Sequence, residues 1–141
     1  MTRRSRAREV ALQLLFGQDH NAQQQRAEIE RFVRERLREP ALREFCLSLY
    51  DGVLAHAADI DQRISAAAEN WRLQRMATVD RNVLRMGAYE LLHRPETPPA
   101  AVLDEAIELA RRFGTADSPA FVNGVLDRLR LLAAPAAPPT P

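Results

Sequence analysis

The stretch ARRFGTADSPAFVNGVLDRL, residues 110–129, decides how this chain is read, because it holds the end of one helix, a turn and the start of another. Gly114 closes the preceding apolar pattern, and a glycine in the left-handed conformation is the usual way to end a helix without a steric penalty. Asp117 or Ser118 can accept a hydrogen bond from a free backbone N–H of the following helix, and Pro119 suits its first position, where no donor is needed. A helix is therefore expected from Ser118. Its apolar stripe is Val122, Val125, Leu126 and Leu129, and Phe121 and Asn123 lie off that stripe. Gly124 is unusual, since a mid-helix glycine costs about 1 kcal/mol relative to alanine and so predicts a close backbone approach.

Outward from this joint the chain reads as helix after helix. Upstream, Leu103, Ala106, Ile107, Ala110 and Phe113 form a half-buried helical face, with Glu108 and Arg112 placed for an i,i+4 pair. Before it, the prolines of RPETPP, residues 94–99, dictate a turn. Residues 78–93 are apolar around most of the helical circumference, with Thr78 as a cap, so this helix is expected to be the most deeply buried. A single apolar face runs from Leu42 through Val53 to Ala67 and predicts one long central helix over residues 41–68, with Gly52 as a packing contact or bend. Residues 26–39 are weakly amphipathic, and Pro40 ends that helix or opens the next. Residues 5–19 carry two apolar rows, one through Ala7, Val10, Ala11, Leu14 and Leu15 and a second through Leu12 and Phe16. Strand alternation is missing throughout, so the fold class is all-α. One helical domain over residues 1–132 and a disordered Pro/Ala-rich tail over 133–141 complete the organisation.

Composition narrows the chemistry. A formal charge of +1 does not fit a uniformly basic nucleic-acid binder, yet Arg3, Arg4, Arg6 and Arg8 fall within the first eight residues with no acid among them. The guanidinium group forks onto phosphate and stacks on exposed bases, which suits single-stranded RNA. Against this stands the plainer reading of a solvated, frayed terminus. Cys46 lies on an apolar stripe, and His20, His56 and His93 are far apart in sequence without partners at ligand spacing, so neither a metal nor a cofactor is expected. Asp104, Glu105 and Glu108 read as a solvated acidic face rather than a catalytic pair, and no enzyme is expected. The basic start turns apolar, but Glu9, Gln13, Gln18 and Asp19 interrupt it before it could serve as a signal peptide, and no run approaches a membrane span; a cytoplasmic protein is expected.

Three segments carry a resemblance that periodicity does not supply. RSRAREVALQLLF, VDRNVLRMGAYELL and DEAIELARRFGTADSPAFVNGVLDRL resemble, in order and spacing, the bacterial transcription antitermination factors of the NusB family, over residues 3–131. The resemblance implies a single domain of about seven helices in two packed three-helix subdomains with an extra helix. It also implies binding of the single-stranded boxA element of nascent ribosomal RNA together with NusE, a small-subunit ribosomal protein, within the RNA polymerase antitermination complex.

Carried onto this chain, the RNA-contacting residues are Arg3, Arg4, Arg6 and Arg8, with Gln13 nearby, and Ser118, Phe121 and Asn123 at the start of the last helix. Asp117 beside them would repel phosphate and moderate affinity, and Asp80 and Arg81 belong to the NusE-facing surface. Phe16 stands where the family often has tyrosine, Ser5 where it is commonly basic, and Pro98 and Pro99 stiffen the turn before the sixth helix. The alternative reading is a protein-interaction or homodimerisation module in which the partner holds most of the RNA.

Overall fold

The computed structural model describes residues 3–69 and 71–133; of the expected tail over 133–141, Ala133 instead closes the last helix and the rest lies outside the described residues. The described chain folds into seven α-helices: α1 (Arg3–His20), α2 (Arg26–Arg36), α3 (Pro40–Ala55), α4 (Ala57–Ala67), α5 (Thr78–His93), α6 (Pro99–Phe113) and α7 (Ser118–Ala133), with a 3₁₀ turn at Leu73–Arg75. Prolines open α3 and α6, where the missing N–H has no partner to lose. Helices α1, α2 and α3 pack together as one layer, and α4, α5, α6 and α7 as the other. Helix α5 also packs on α1 and α3, which joins the two layers through one continuous apolar core. No residue of α5 is exposed, as its apolar circumference predicts.

Several local expectations are corrected. The single helix over residues 41–68 is two helices, because His56 leaves the helical conformation (φ −111°, ψ 19°) and caps both α3 and α4. The break uses one residue, so the apolar period continues across it while α4 turns to pack on α7. Thr78 is the first residue of α5 rather than its cap, and the extended residue before it is Ala77. The buried face of α6 is Val102, Ala106, Leu109 and Ala110, rotated from the predicted stripe because α6 is gripped by both α5 and α7, which leaves Phe113 exposed. Gly114 is extended (φ −98°, ψ −160°), not left-handed. Glycine is needed there for space, since a Cβ would lie 2.4 Å from Ser118 Oγ and 2.8 Å from the Ala110 carbonyl oxygen. Gly124, by contrast, faces open space with no close intramolecular neighbour.

Candidate nucleic-acid interface

The N-terminal arginines do not form one uniform patch. Arg3 is exposed and reaches Glu39 at 3.0 Å, while Arg4 is exposed with its guanidinium 4.5 Å above the Phe45 ring. Arg6 is half-buried and pairs with Glu9 at 3.1 Å. Arg8 is only 4% exposed, so the expected RNA contact at this position is corrected. Its Nε and Nη2 donate to the two carboxylate oxygens of Glu90 at 2.9 and 2.8 Å, in the forked geometry that arginine matches to a carboxylate. The sequence held a signal for this. Arg8 heads the row continued by Leu12 and Phe16, and a helix as buried as α5 leaves Glu90 in need of a cation.

Two grooves lie beside the first turn of α5. One is lined by Glu9, Leu12, Gln13, Phe16, Val79 and Phe113, so exposed Gln13 shares it with Phe16 and Phe113, which are 43% and 39% exposed. Phe16 stacks on His20 with centroids 4.5 Å apart. The other groove, about 320 Å³, is lined by Trp71, Arg75, Met76, Ala77, Asp80, Asp117 and Phe121. There Trp71, 57% exposed, meets Phe121 edge-on at 5.7 Å. Trp71 and Phe113 are the aromatic members that reasoning from apolar stripes did not single out as site residues. Trp71 lies in the linker between α4 and the 3₁₀ turn, outside any helical period, and Phe113, expected on the half-buried face, is the last residue of α6.

The remaining expected residues separate. Ser118 is buried, and its Oγ accepts a hydrogen bond from the Thr115 N–H at 2.9 Å, which closes the α6–α7 turn. Its expected part in RNA contact is corrected on that ground. Asp117 and Asn123 are exposed. Asp80 faces the second groove, where its buried Oδ1 has no hydrogen-bond partner. Arg81 instead pairs with Asp19 at 3.2 Å, and Asn82 donates to the same carboxylate at 2.8 Å. Burial pushes the Asp19 pKa up, but the hydrogen bonds from Asn82 and Arg81 and the charges of Arg81 and Arg85 hold it below the ordinary value.

The predicted Glu108–Arg112 pair is replaced by Glu108 with Arg111 at 2.5 Å, and Arg112 reaches Glu9 of α1 at 3.4 Å. Glu105 is not part of a solvated acidic face, since it accepts hydrogen bonds from the Ser5 hydroxyl at 2.6 and 2.8 Å.

His56 and His93, far apart in sequence, stack at 4.0 Å between centroids. Near-parallel rings, here 20° apart, direct their in-plane lone pairs side by side rather than onto one ion. Cys46 is fully buried, and burial, with the nearby Asp51 charge, pushes its thiol up to about 12. Among the described residues no group of three or more His, Cys, Asp or Glu is placed to hold a metal, and no helix is long and apolar enough to cross a membrane.

The fold defines a class: an all-helical protein of two packed helical layers, here with two aromatic-lined grooves beside the first turn of α5. The model of the NusB family matches residues 5–130, and the chain belongs to that family. It is 49% identical over 129 residues to the transcription antitermination protein NusB of Sorangium cellulosum (strain So ce56), covering 92% of each chain. Its fold superposes on T. maritima NusB with a TM-score of 0.83 and 36% identity, over 96% of this chain and 94% of that one. It also superposes on a chain from the crystal structure of antitermination factors NusB and NusE in complex with dsRNA, with a TM-score of 0.84 and 26% identity, over 94% of this chain and 98% of that one.

Proposed function

We propose that this chain is a cytoplasmic, non-catalytic RNA-binding transcription antitermination factor that takes the boxA element of nascent ribosomal RNA together with NusE and favours read-through by RNA polymerase. The observation that carries this is the convergence of Arg6, through Glu9, with the groove of Gln13, Phe16 and Phe113. A cation for phosphate thus adjoins aromatic faces for unstacked bases, the combination that single-stranded RNA requires. The family membership supports the antitermination reading, and the solved complex of NusB and NusE with dsRNA supports the pairing with NusE and RNA. Within it, Arg3, Arg4 and Arg6 meet phosphate, Gln13, Phe121 and Asn123 line the RNA path, and Asp117 moderates affinity. Asp80, in the Trp71 groove, belongs to the NusE side, and Arg81 serves that side through its hold on Asp19.

Fluorescence anisotropy with boxA RNA and a scrambled RNA, each with and without NusE, tests this. The expected result is preference for boxA, strengthened by NusE, and a log affinity that falls against log salt with a slope of about −2 or steeper if three arginines neutralise phosphates. Binding that ignores both sequence and salt would overturn it.

A further inference from the structure

The one buried arginine of the N-terminal cluster has no direct use in an RNA-contacting surface, yet it is the best connected. Arg8 is gripped by Glu90 of α5, itself 2% exposed, and its Nη1 lies 3.7 Å from Glu105 of α6. Its guanidinium also lies 5.2 Å above the ring of Phe45 from α3. Three helices thus hold one side chain of α1. One turn away, Ser5 donates to Glu105, and Glu9 joins Arg6 of its own helix to Arg112 of α6. Helix α6 ends at the turn that presents Phe113 and Asp117. The charged cluster therefore fixes how the arginine-bearing end of α1 sits relative to the α6–α7 turn, the two halves of the proposed RNA surface.

We propose that Arg8, clamped by Glu90 and Glu105, is a positioning residue for RNA recognition that sets the register between the exposed arginines and the α6–α7 turn without touching RNA itself. This rests on the RNA-binding reading above. The proposal has an unusual consequence: removing a negative charge should weaken binding to a polyanion. If Arg8 were a phosphate contact merely restrained by its neighbours, neutralising Glu90 would free it and tighten binding. If Arg8 positions, neutralising Glu90 loosens α1 and binding falls.

The experiment measures anisotropy of boxA RNA with the full-length wild-type chain and with Glu90→Gln, Glu105→Gln and Arg4→Ala, after circular dichroism confirms the helical content of each. Expected are an affinity loss of about fivefold for Glu90→Gln at fixed salt with the salt slope unchanged, and for Arg4→Ala a slope shallower by about 0.7. Glu105→Gln, at a half-buried carboxylate, should show a smaller loss, also with unchanged slope. It decides the question by itself should Glu90→Gln fail to fold. Unchanged or tighter binding in the carboxylate variants, with the Arg4→Ala slope still reduced, overturns the positioning role and leaves the RNA reading standing. Failure of the wild-type chain to bind the RNA overturns both.

Discussion

His93 ends α5 with its ring stacked on His56 and, at 5.4 Å between centroids, on Tyr89. Burial and the facing His56 hold its pKa below the usual 6.5; Arg63 of α4 adds to this and Asp59 opposes it. The folded state therefore resists taking up a proton that the unfolded chain accepts. Stability from this site is fully present above about pH 6.5 and falls as the pH drops through that value toward the folded pKa. Asp19 acts in a separate window, because its lowered pKa makes its contribution persist until the pH falls to and below 3.8. Denaturation midpoints measured across the weakly acidic range should drop for the wild-type chain and stay flatter for His93→Gln. Parallel curves would show that His93 takes no part. The sequence named both histidines but could not place them together, because the fold brings the α3–α4 break against the end of α5.

At the scale of elements, the same substitution at two glycines should have opposite signs. Gly52 of α3 is where Tyr89 of α5 seats its ring, and a Cβ there would come within 2.1 Å of Tyr89 Cζ. Gly52→Ala has to push that ring out of its stack with His56 and should cost about 1–2 kcal/mol. Gly124 on the exposed side of α7 has open space around it, so Gly124→Ala should raise stability by up to about 1 kcal/mol through helix propensity. Thermal melts of the two variants check both signs, and a destabilised Gly124→Ala would reveal a hidden constraint in α7. At Gly52 the sequence left a packing contact and a bend as alternatives, and the seat of Tyr89 decides for the contact. The expected close approach at Gly124 was not found, because a glycine that serves no internal contact leaves the same mark in a sequence as one that does.

Across the whole molecule, one buried ion pair ties the two helical layers together. Arg8 of α1 and Glu90 of α5 are both nearly inaccessible, so deleting Arg8 strands the Glu90 carboxylate in the core, and deleting Glu90 leaves Arg8 with only the longer 3.7 Å contact to Glu105. Arg8→Met should cost about 3–5 kcal/mol, whereas Arg8→Met combined with Glu90→Leu should recover most of that loss, since a well-packed apolar pair often replaces a buried ion pair with little penalty. Urea denaturation of the two single variants and the double variant measures the coupling. Additive losses would mean that the two side chains stabilise the fold independently.

By itself the sequence determined the helical class, the order of most helices, the depth of α5 and the joint at residues 110–129, because all of these follow from local rules: apolar period, proline position and turn chemistry. It also marked the arginine-rich start and, through the motif around Phe121 and Asn123, the family. Tertiary structure alone decided which arginines face solvent. A helical period constrains which residues share a face, but whether a charged member of that face is buried depends on a countercharge supplied from another helix, here Glu90, 82 residues away in the chain. The same holds for the joint itself: Gly114 and Ser118 prove to close the turn upon each other, and the surface is left to Asp117, Phe121 and the exposed rings of Trp71 and Phe113.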